Sequence, residues 1–366
     1  FMKPFPLSEK YFLVACKPAK EALWGIYLVD VFDNLTLIAE QEGEGLTAPI
    51  PLVKRETPPV IPSKIKPDSK EATVFIQDIY EGEGTQGVPR GTIKALRIFA
   101  YEYAYILAPS DHDAQGIQSG WDIKRILGTV PVEEDGSALF TIPANTPISI
   151  QPLDKDGAAI QWMRSWLTGM PGEIVSCVGC HEDQNSIPIP KRTIASAKQA
   201  RRLETPEGVR PFTFRLEVQP VLDRNCVSCH NGKNAEPDFR KDQMVTYKRG
   251  ILTKINKQYD QSYLNLHPYV YRQGPESDIY VLKPAEFHAS NSELIRILQA
   301  GHHGVEVPEE DMRTLYAWID LNAPYYGAFT QIDLKPQSPK GQVERRMELA
   351  EKYSGVQVDW QKEIAD

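Results

Sequence analysis

Apolar and polar residues alternate over much of the first half of the chain, which is the period of a β-strand with one buried face. The alternation is clearest between residues 130 and 150, and the apolar residues on its even positions are Val130, Val132, Ala138, Phe140, Ile142, Ile148 and Ile150. Two dipeptides typical of tight hairpin turns, Asp135-Gly136 and Asp156-Gly157, lie between the runs. This pattern predicts a mostly β, sandwich-like domain over residues 71–190.

Three shorter β runs, at residues 11–15, 24–32 and 36–38, precede this domain. Three strands bury too little apolar surface to be stable alone, so we expect residues 1–57 to be part of a larger sheet. Residues 58–70 are rich in proline and lysine and predict an extended linker.

After Pro211 the apolar period becomes that of a helix, and the residues that carry it first are Phe214, Val218 and Leu222. Two more helices are predicted, one over residues 292–300 ending at Gly301 and one beginning near Pro308. The apolar stripe of the latter is Met312, Leu315, Tyr316 and Ile319. The pattern predicts an all-α domain over residues 211–330, joined to the β domain by a linker over residues 191–210 and followed by a helical tail over residues 331–366.

Composition agrees with an α+β multidomain protein. The chain has 366 residues, of which 41% are apolar and 25% charged, which is enough apolar material for packed cores. The net charge of -8 argues against a nucleic-acid-binding surface. No apolar run approaches the roughly 20 residues that cross a bilayer, so no transmembrane segment is expected.

Four of the five cysteines lie in two identical Cys-x-x-Cys-His patterns, at residues 177–181 and 226–230. Thiols at this spacing can add to the two vinyl groups of one haem, and the adjacent histidine then ligates the iron. The candidate haem-binding residues are Cys177, Cys180 and His181 in the first motif and Cys226, Cys229 and His230 in the second.

Zinc and redox-active thiols are the alternatives to haem. A zinc ribbon has its two cysteine pairs about 15–20 residues apart, whereas residues 181–225 separate the pairs here. Neither zinc nor a thioredoxin-type pair accounts for a histidine directly after both pairs. The residues therefore predict two covalently bound haem c groups.

Five histidines lie outside the motifs: His112, His267, His288, His302 and His303. His112 is expected in an exposed loop, and His267 and His288 are expected to be hydrogen-bonded surface groups or partners of a haem propionate. His302 and His303 lie between the two C-terminal helices, where small cytochromes commonly carry their sixth ligand, and His303 is slightly favoured. For the first haem no sixth ligand is evident, so that its iron would be open to small molecules. Arg164 is a candidate partner of a haem propionate, beside Trp162 and Trp166, for which core packing is the alternative.

Several longer stretches resemble the hydrazine synthase alpha subunit family. Residues 6–12 and 25–33 resemble the end of that family's β-propeller. Residues 121–132, 163–166 and 176–182 resemble its haem-bearing middle domain. Its C-terminal cytochrome c domain is similar to residues 218–223, 274–278, 301–303 and 318–324. The resemblance implies a periplasmic or otherwise exported protein with two c-type haems. It also implies bis-histidine ligation of the second haem by the Gly-His-His turn, and a separate β-propeller part or other subunits as partners.

One position departs from the family. In hydrazine synthase, the iron of the first haem is ligated by a tyrosine four residues after the motif histidine, and that histidine ligates a zinc ion. At the position of the tyrosine this chain has Asn185. We therefore expect His181 to ligate the iron of the first haem. The protein as a whole is expected to be a dihaem c-type cytochrome that transfers electrons within a larger periplasmic complex. The alternatives are a hydrazine-synthase-like oxidoreductase acting on small nitrogen compounds at an open first haem, and a zinc-stabilised interaction module.

Overall fold

The structure, a computed structural model, describes residues 1–102, 115–119, 123–183, 185, 189–205, 209, 212–241, 243–248, 256–273, 281–328 and 341–355. The chain forms two compact units, Phe1–Ser63 and Lys64–Asp366. In the described residues, twelve strands and five α-helices make a mixed, strand-rich protein with few helices. The predicted mixture of strands and helices is confirmed.

The first unit is one antiparallel sheet with its strands in sequence order. These strands are β1 (Met2–Pro6), β2 (Tyr11–Cys16), β3 (Gly25–Asp30) and β4 (Leu35–Ala39). The three predicted runs became β2, β3 and β4, whereas β1 was not predicted. A small core of Val14, Cys16 and Tyr27 lies on one face, and the kinship of this sheet to a propeller blade stays a prediction.

The second unit contains two three-stranded sheets, ordered β10-β5-β8 and β7-β6-β9. The strands are β5 (Glu71–Ile76), β6 (Ala95–Glu102), β7 (Ile123–Pro131), β8 (Ala138–Pro143), β9 (Ile148–Leu153) and β10 (Ile174–Cys177). Strand β10 pairs in parallel with β5, and the other strand pairings within these two sheets are antiparallel. Even-numbered apolar residues of both sheets share one core, here called the sheet cluster, which includes Val74, Ile98, Phe140 and Ile150.

The turn at Asp135-Gly136 differs from the expected hairpin. The turn itself is present, since the Glu133 amide donates to the Ser137 carbonyl at 2.9 Å. However, β7 before it pairs with β6, and β8 after it pairs with β5. The turn therefore connects one sheet to the other. The Asp135-Gly136 dipeptide determines that the chain changes direction here, but not which strands pair.

Strand β6 is buried on both faces because it lies between two cores. Leu96, Ile98 and Ala100 belong to the sheet cluster. Phe99 and Tyr101 belong to a second core, here called the aromatic cluster, whose other members come mainly from residues 212–325. Strands that are covered on both faces lose the alternation of polar and apolar residues, which explains the nearly continuous apolar sequence of β6.

The helices of the second unit are α1 (Gln219–Asn225), α2 (Gln261–Leu266), α3 (Glu293–Gln299), α4 (Glu309–Asp320) and α5 (Gln342–Ser354). The predicted helices before the second motif, before Gly301 and after Pro308 are confirmed. The expectation of an all-α domain is wrong, because β11 (Met244–Lys248) and β12 (Asn256–Asp260) form an antiparallel pair within it. β-branched and aromatic residues such as Val245, Thr246 and Tyr247 favour this pairing.

A buried polar group joins the sheets to α4. The Asp320 carboxylate at the end of α4 accepts hydrogen bonds from the amides of Ala159, at 2.8 Å, and Ala289, at 2.9 Å. The Arg97 guanidinium of β6 lies 3.9 Å from the same carboxylate, and His288 Nδ1 lies 3.8 Å from it. His288 Nε2 is buried without a hydrogen-bond partner among the described residues.

This burial makes stability depend on pH through His288. Burial lowers the pKa of His288 to about 4, so the folded protein resists a proton that the unfolded chain accepts below about 6.5. The stability that this neutral ring contributes is present above that value and is lost as the pH falls through 4. We expect His288→Gln to remove this loss, so that the variant gains about 3 kcal/mol relative to the wild type between pH 7 and pH 4. Urea unfolding at both pH values measures the difference, and a pH-independent difference would contradict the prediction.

Candidate haem-binding sites

The second motif begins where α1 ends. The amide of Cys226 still donates to the carbonyl of Leu222 at 2.8 Å, and the amide of His230 donates to Cys226 at 2.8 Å, so the motif is wound into a tight turn. Asn225, at the end of α1, donates to the Asp311 carboxylate of α4 at 2.7 Å, and Arg224 forms an ion pair with the same group. These contacts fix the motif against α4.

A cavity of about 600 Å³ opens beside the second motif. This volume lies within the range typical of ligand pockets. The motif residues that line it are Cys226, Cys229 and His230, and apolar side chains that complete its wall are Phe239, Leu266, Leu294, Ile297, Leu298 and Val305. His302 and His303 also line it. The second motif thus faces an apolar space with two further imidazoles.

His230 and His302 face one another across this space. Their ring centroids are 5.9 Å apart and their planes differ by 20°. Two imidazoles that share a metal, each with its nitrogen about 2 Å from it, have centroids about 6 Å apart. His230 Nδ1 lies 3.1 Å from the carbonyl oxygen of Pro237, which accepts its proton, and this leaves Nε2 as the nitrogen able to ligate. The residues present therefore fit a haem with two histidine ligands.

The turn that presents His302 depends on backbone in the left-handed region. Gly301 ends α3 with a φ of 87°, and His303 has a φ of 49°. The His303 ring is perpendicular to that of His302, with centroids 4.7 Å apart, and is more exposed. Burial, together with the neighbouring His303 and His230, lowers the pKa of His302, and the neutral imidazole is the form that ligates metals. This geometry favours His302 as the ligand, where the sequence slightly favoured His303.

The first motif follows β10, whose pairing with β5 brings it against the loop of residues 77–84. The Cys180 amide donates to the Glu81 carbonyl at 2.7 Å, and the Gly84 amide donates to the Cys180 carbonyl at 3.0 Å. A Cβ at Gly179 would overlap the Glu81 carbonyl oxygen, and one at Gly84 would lie 2.6 Å from Cys180 Sγ. Glycine is thus required on both sides of this contact.

The thiols of the first motif pack against the sheet cluster. Burial and the charge of Glu182 raise the pKa of Cys177 to about 11 and that of Cys180 to about 12. His181 is exposed, as is Asn185, whose amide side chain bonds Asp183 at 3.1 Å. No residue of the first motif lines the cavity at the second motif, so the two cysteine pairs belong to different places in the unit.

The other predicted candidates have the following positions. Arg164 is half-buried, and its pairing with a propionate stays a prediction. His112 lies outside the described residues. Arg272 donates to His267 Nε2 at 3.1 Å, so that this histidine is engaged by a cation. His288 belongs to the buried polar group at Asp320.

Sequence reasoning missed most of the cavity wall. On α3, Leu294, Ile297 and Leu298 have the three- and four-residue spacing of one helix face, a signal that could have identified them. Phe239 and Pro237 lie in an irregular loop after the motif, and their sequence carries no periodicity. Their contribution depends on the fold of that loop.

Comparison with known proteins gives a partial match in sequence and a broad one in fold. Residues 91–182 match the family described as hydrazine synthase alpha subunit middle domain. Among solved structures, Kuenenia stuttgartiensis hydrazine synthase is similar with a TM-score of 0.58 and 18% identity, over 89% of this chain and 55% of that chain. At that identity the likeness shows the fold alone.

No curated protein matches the chain. None of the helices in the described part of the chain is long and apolar enough to cross a membrane. The middle-domain match over residues 91–182 and the shared fold agree with the resemblance that the motifs predict.

Proposed function

We propose that the protein is a dihaem c-type cytochrome that transfers electrons as part of a larger, exported redox complex. The observation that supports this most directly is the cavity at the second motif. It brings two thiols and the His230 ring to one apolar space and sets His302 opposite His230 at a spacing that suits a shared metal.

In this proposal each residue of the second site has one role. Cys226 and Cys229 would hold the porphyrin by thioether bonds, and His230 and His302 would ligate its iron. A haem held in this way supplies one-electron transfer, and two imidazole ligands leave no open position for a substrate. The apolar wall would keep water away from the haem, and a dry environment disfavours the ferric state relative to the ferrous state.

We also propose a haem at the first motif, called the first haem. Cys177 and Cys180 would hold it, and His181 would ligate its iron. Asn185 stands in place of the family's tyrosine, so the described residues around the exposed His181 offer no evident second protein ligand to such an iron. This feature, together with the middle-domain match, favours a second candidate function, in which small nitrogen compounds react at the first haem. Carbon monoxide or nitric oxide binding by the reduced protein tests the second candidate, because a first haem that refuses both ligands could not bind a small nitrogen compound at its iron.

The thioether bonds are the most direct test. We expect the intact mass of protein exported by a host with cytochrome c maturation to exceed the chain mass by two haems. The double variant Cys226→Ala/Cys229→Ala should lose one haem, and Cys177→Ala/Cys180→Ala the other, because each pair of thiols holds its own porphyrin. Cys16→Ala, which changes a buried cysteine outside both motifs, is the control and should retain two.

Bare thiols at both motifs in the wild-type protein would overturn the proposal. A reduced-minus-oxidised spectrum without c-type bands would do the same, and would favour the zinc-stabilised interaction module. Retention of both haems in either double variant would show that the thiols concerned are not the attachment points.

A further inference from the structure

A groove lies on the far side of the turn that carries His302. It has a volume of about 440 Å³ and lies between α3, residues 301–307 and the start of α4. The apolar side chains that line it are Leu298, Val305, Val307, Met312 and Tyr316. Leu298 and Val305 also line the cavity at the second motif. A single layer of side chains therefore separates the groove from that cavity.

The edge of this groove is acidic. Carboxylates that line it or directly follow a lining residue are Asp156, Glu306, Glu309 and Glu310. Lys155 pairs with Asp156 at 2.7 Å and Arg313 with Glu309 at 2.6 Å, so carboxylates outnumber cations here. Burial raises the pKa of Tyr316 on the groove floor; the hydrogen bond from Gln299 and the charge of Lys155 lower it, and the charges of Asp156 and Asp154 add to the rise.

We propose that this groove is the docking surface for a basic electron-transfer protein that exchanges electrons with the second haem. The inference rests on the proposed function and names the partner by its chemistry. A partner with lysine and arginine side chains around an apolar patch complements an apolar floor with an acidic edge, whereas an acidic partner is repelled.

The position of the groove explains why docking here would be productive. One electron passes from the reduced second haem to the oxidised partner, and no proton or group is transferred. A partner seated in the groove is separated from the haem cavity by Leu298 and Val305, and it lies directly beside the turn that holds His302.

The test uses the reduced holoprotein and, as a probe, a small lysine-rich c-type cytochrome in its ferric form. Stopped-flow mixing measures the second-order rate constant at several salt concentrations. We expect the wild-type rate to fall as salt rises, and Glu306→Lys/Glu310→Lys to lower the low-salt rate on the order of tenfold, because steering of the basic partner is lost. Val307→Asn, on the groove floor, should lower the rate at all salt concentrations.

The matched control is Glu134→Lys/Glu344→Lys, which makes the same change in charge at one exposed loop residue and one residue in the first turn of α5. Its rate should stay within about twofold of the wild type. An intact c-type spectrum with a salt-independent rate, or an equal fall in the control, would overturn the docking surface alone. Absence of a c-type spectrum in the wild type would overturn the proposed function and the docking surface together.

Discussion

Replacing His302 with alanine is expected to convert the second haem from low spin to high spin while both haems stay attached. The imidazole opposite His230 is lost, and the ring of His303 is perpendicular to that of His302 and more exposed. Relative to the wild type, the high-spin signal in electron paramagnetic resonance should grow by the equivalent of one haem, and the reduced protein should bind one more carbon monoxide. Intact mass should still give two haems, since the cysteines are unchanged.

The matched variant is His303→Ala, which removes the neighbouring imidazole from the same turn. Its second haem should remain low spin. High-spin haem in His303→Ala with an unchanged His302→Ala spectrum would assign the ligand to His303 instead. An unchanged spectrum in both variants would end the assignment of this turn as the source of the ligand.

Trp318→Ala is expected to destabilise the second unit by about 3–5 kcal/mol, the usual cost of removing a large buried aromatic side chain. Trp318 is fully buried in the aromatic cluster. Its ring packs 5.6 Å from Phe214 and 6.2 Å from Tyr263, measured between centroids, and its indole nitrogen donates to the Pro324 carbonyl at 3.0 Å. Urea unfolding followed by circular dichroism measures the change in the free energy of unfolding.

Two variants separate the sources of this loss. Trp318→Phe keeps much of the ring volume but removes the hydrogen bond. It should lower the free energy of unfolding clearly less than Trp318→Ala does. Trp166→Ala removes a tryptophan whose side chain is half exposed, and should cost less still. Equal losses for Trp318→Ala and Trp166→Ala would contradict the position assigned to Trp318.

The sequence predicted local features that depend on neighbouring residues. The even-numbered apolar residues between 130 and 150 are buried, except for half-buried Val132. The helix that begins after Pro308 also lies where its apolar stripe indicates. Both follow from a period that the backbone geometry imposes on side chains.

Features that depend on distant parts of the chain could not be predicted in this way. The strands on either side of Asp135-Gly136 pair with β5 and β6, and no local signal states which strand is the partner. The same holds for the choice between His302 and His303, adjacent residues of one type that only the path of the turn distinguishes. The two motifs were evident because their chemistry is contained in five consecutive residues.

The burial of β6 on both faces links parts of the protein that look separable in the sequence. Phe99 and Tyr101 of this strand are covered by residues that come mainly from the second half of the chain. A fragment ending near residue 210 would therefore leave two large aromatic rings facing water, on a sheet whose other face is already filled. The two halves of the second unit that carry the cysteine motifs therefore depend on one another for folding, and neither is expected to fold as an independent domain.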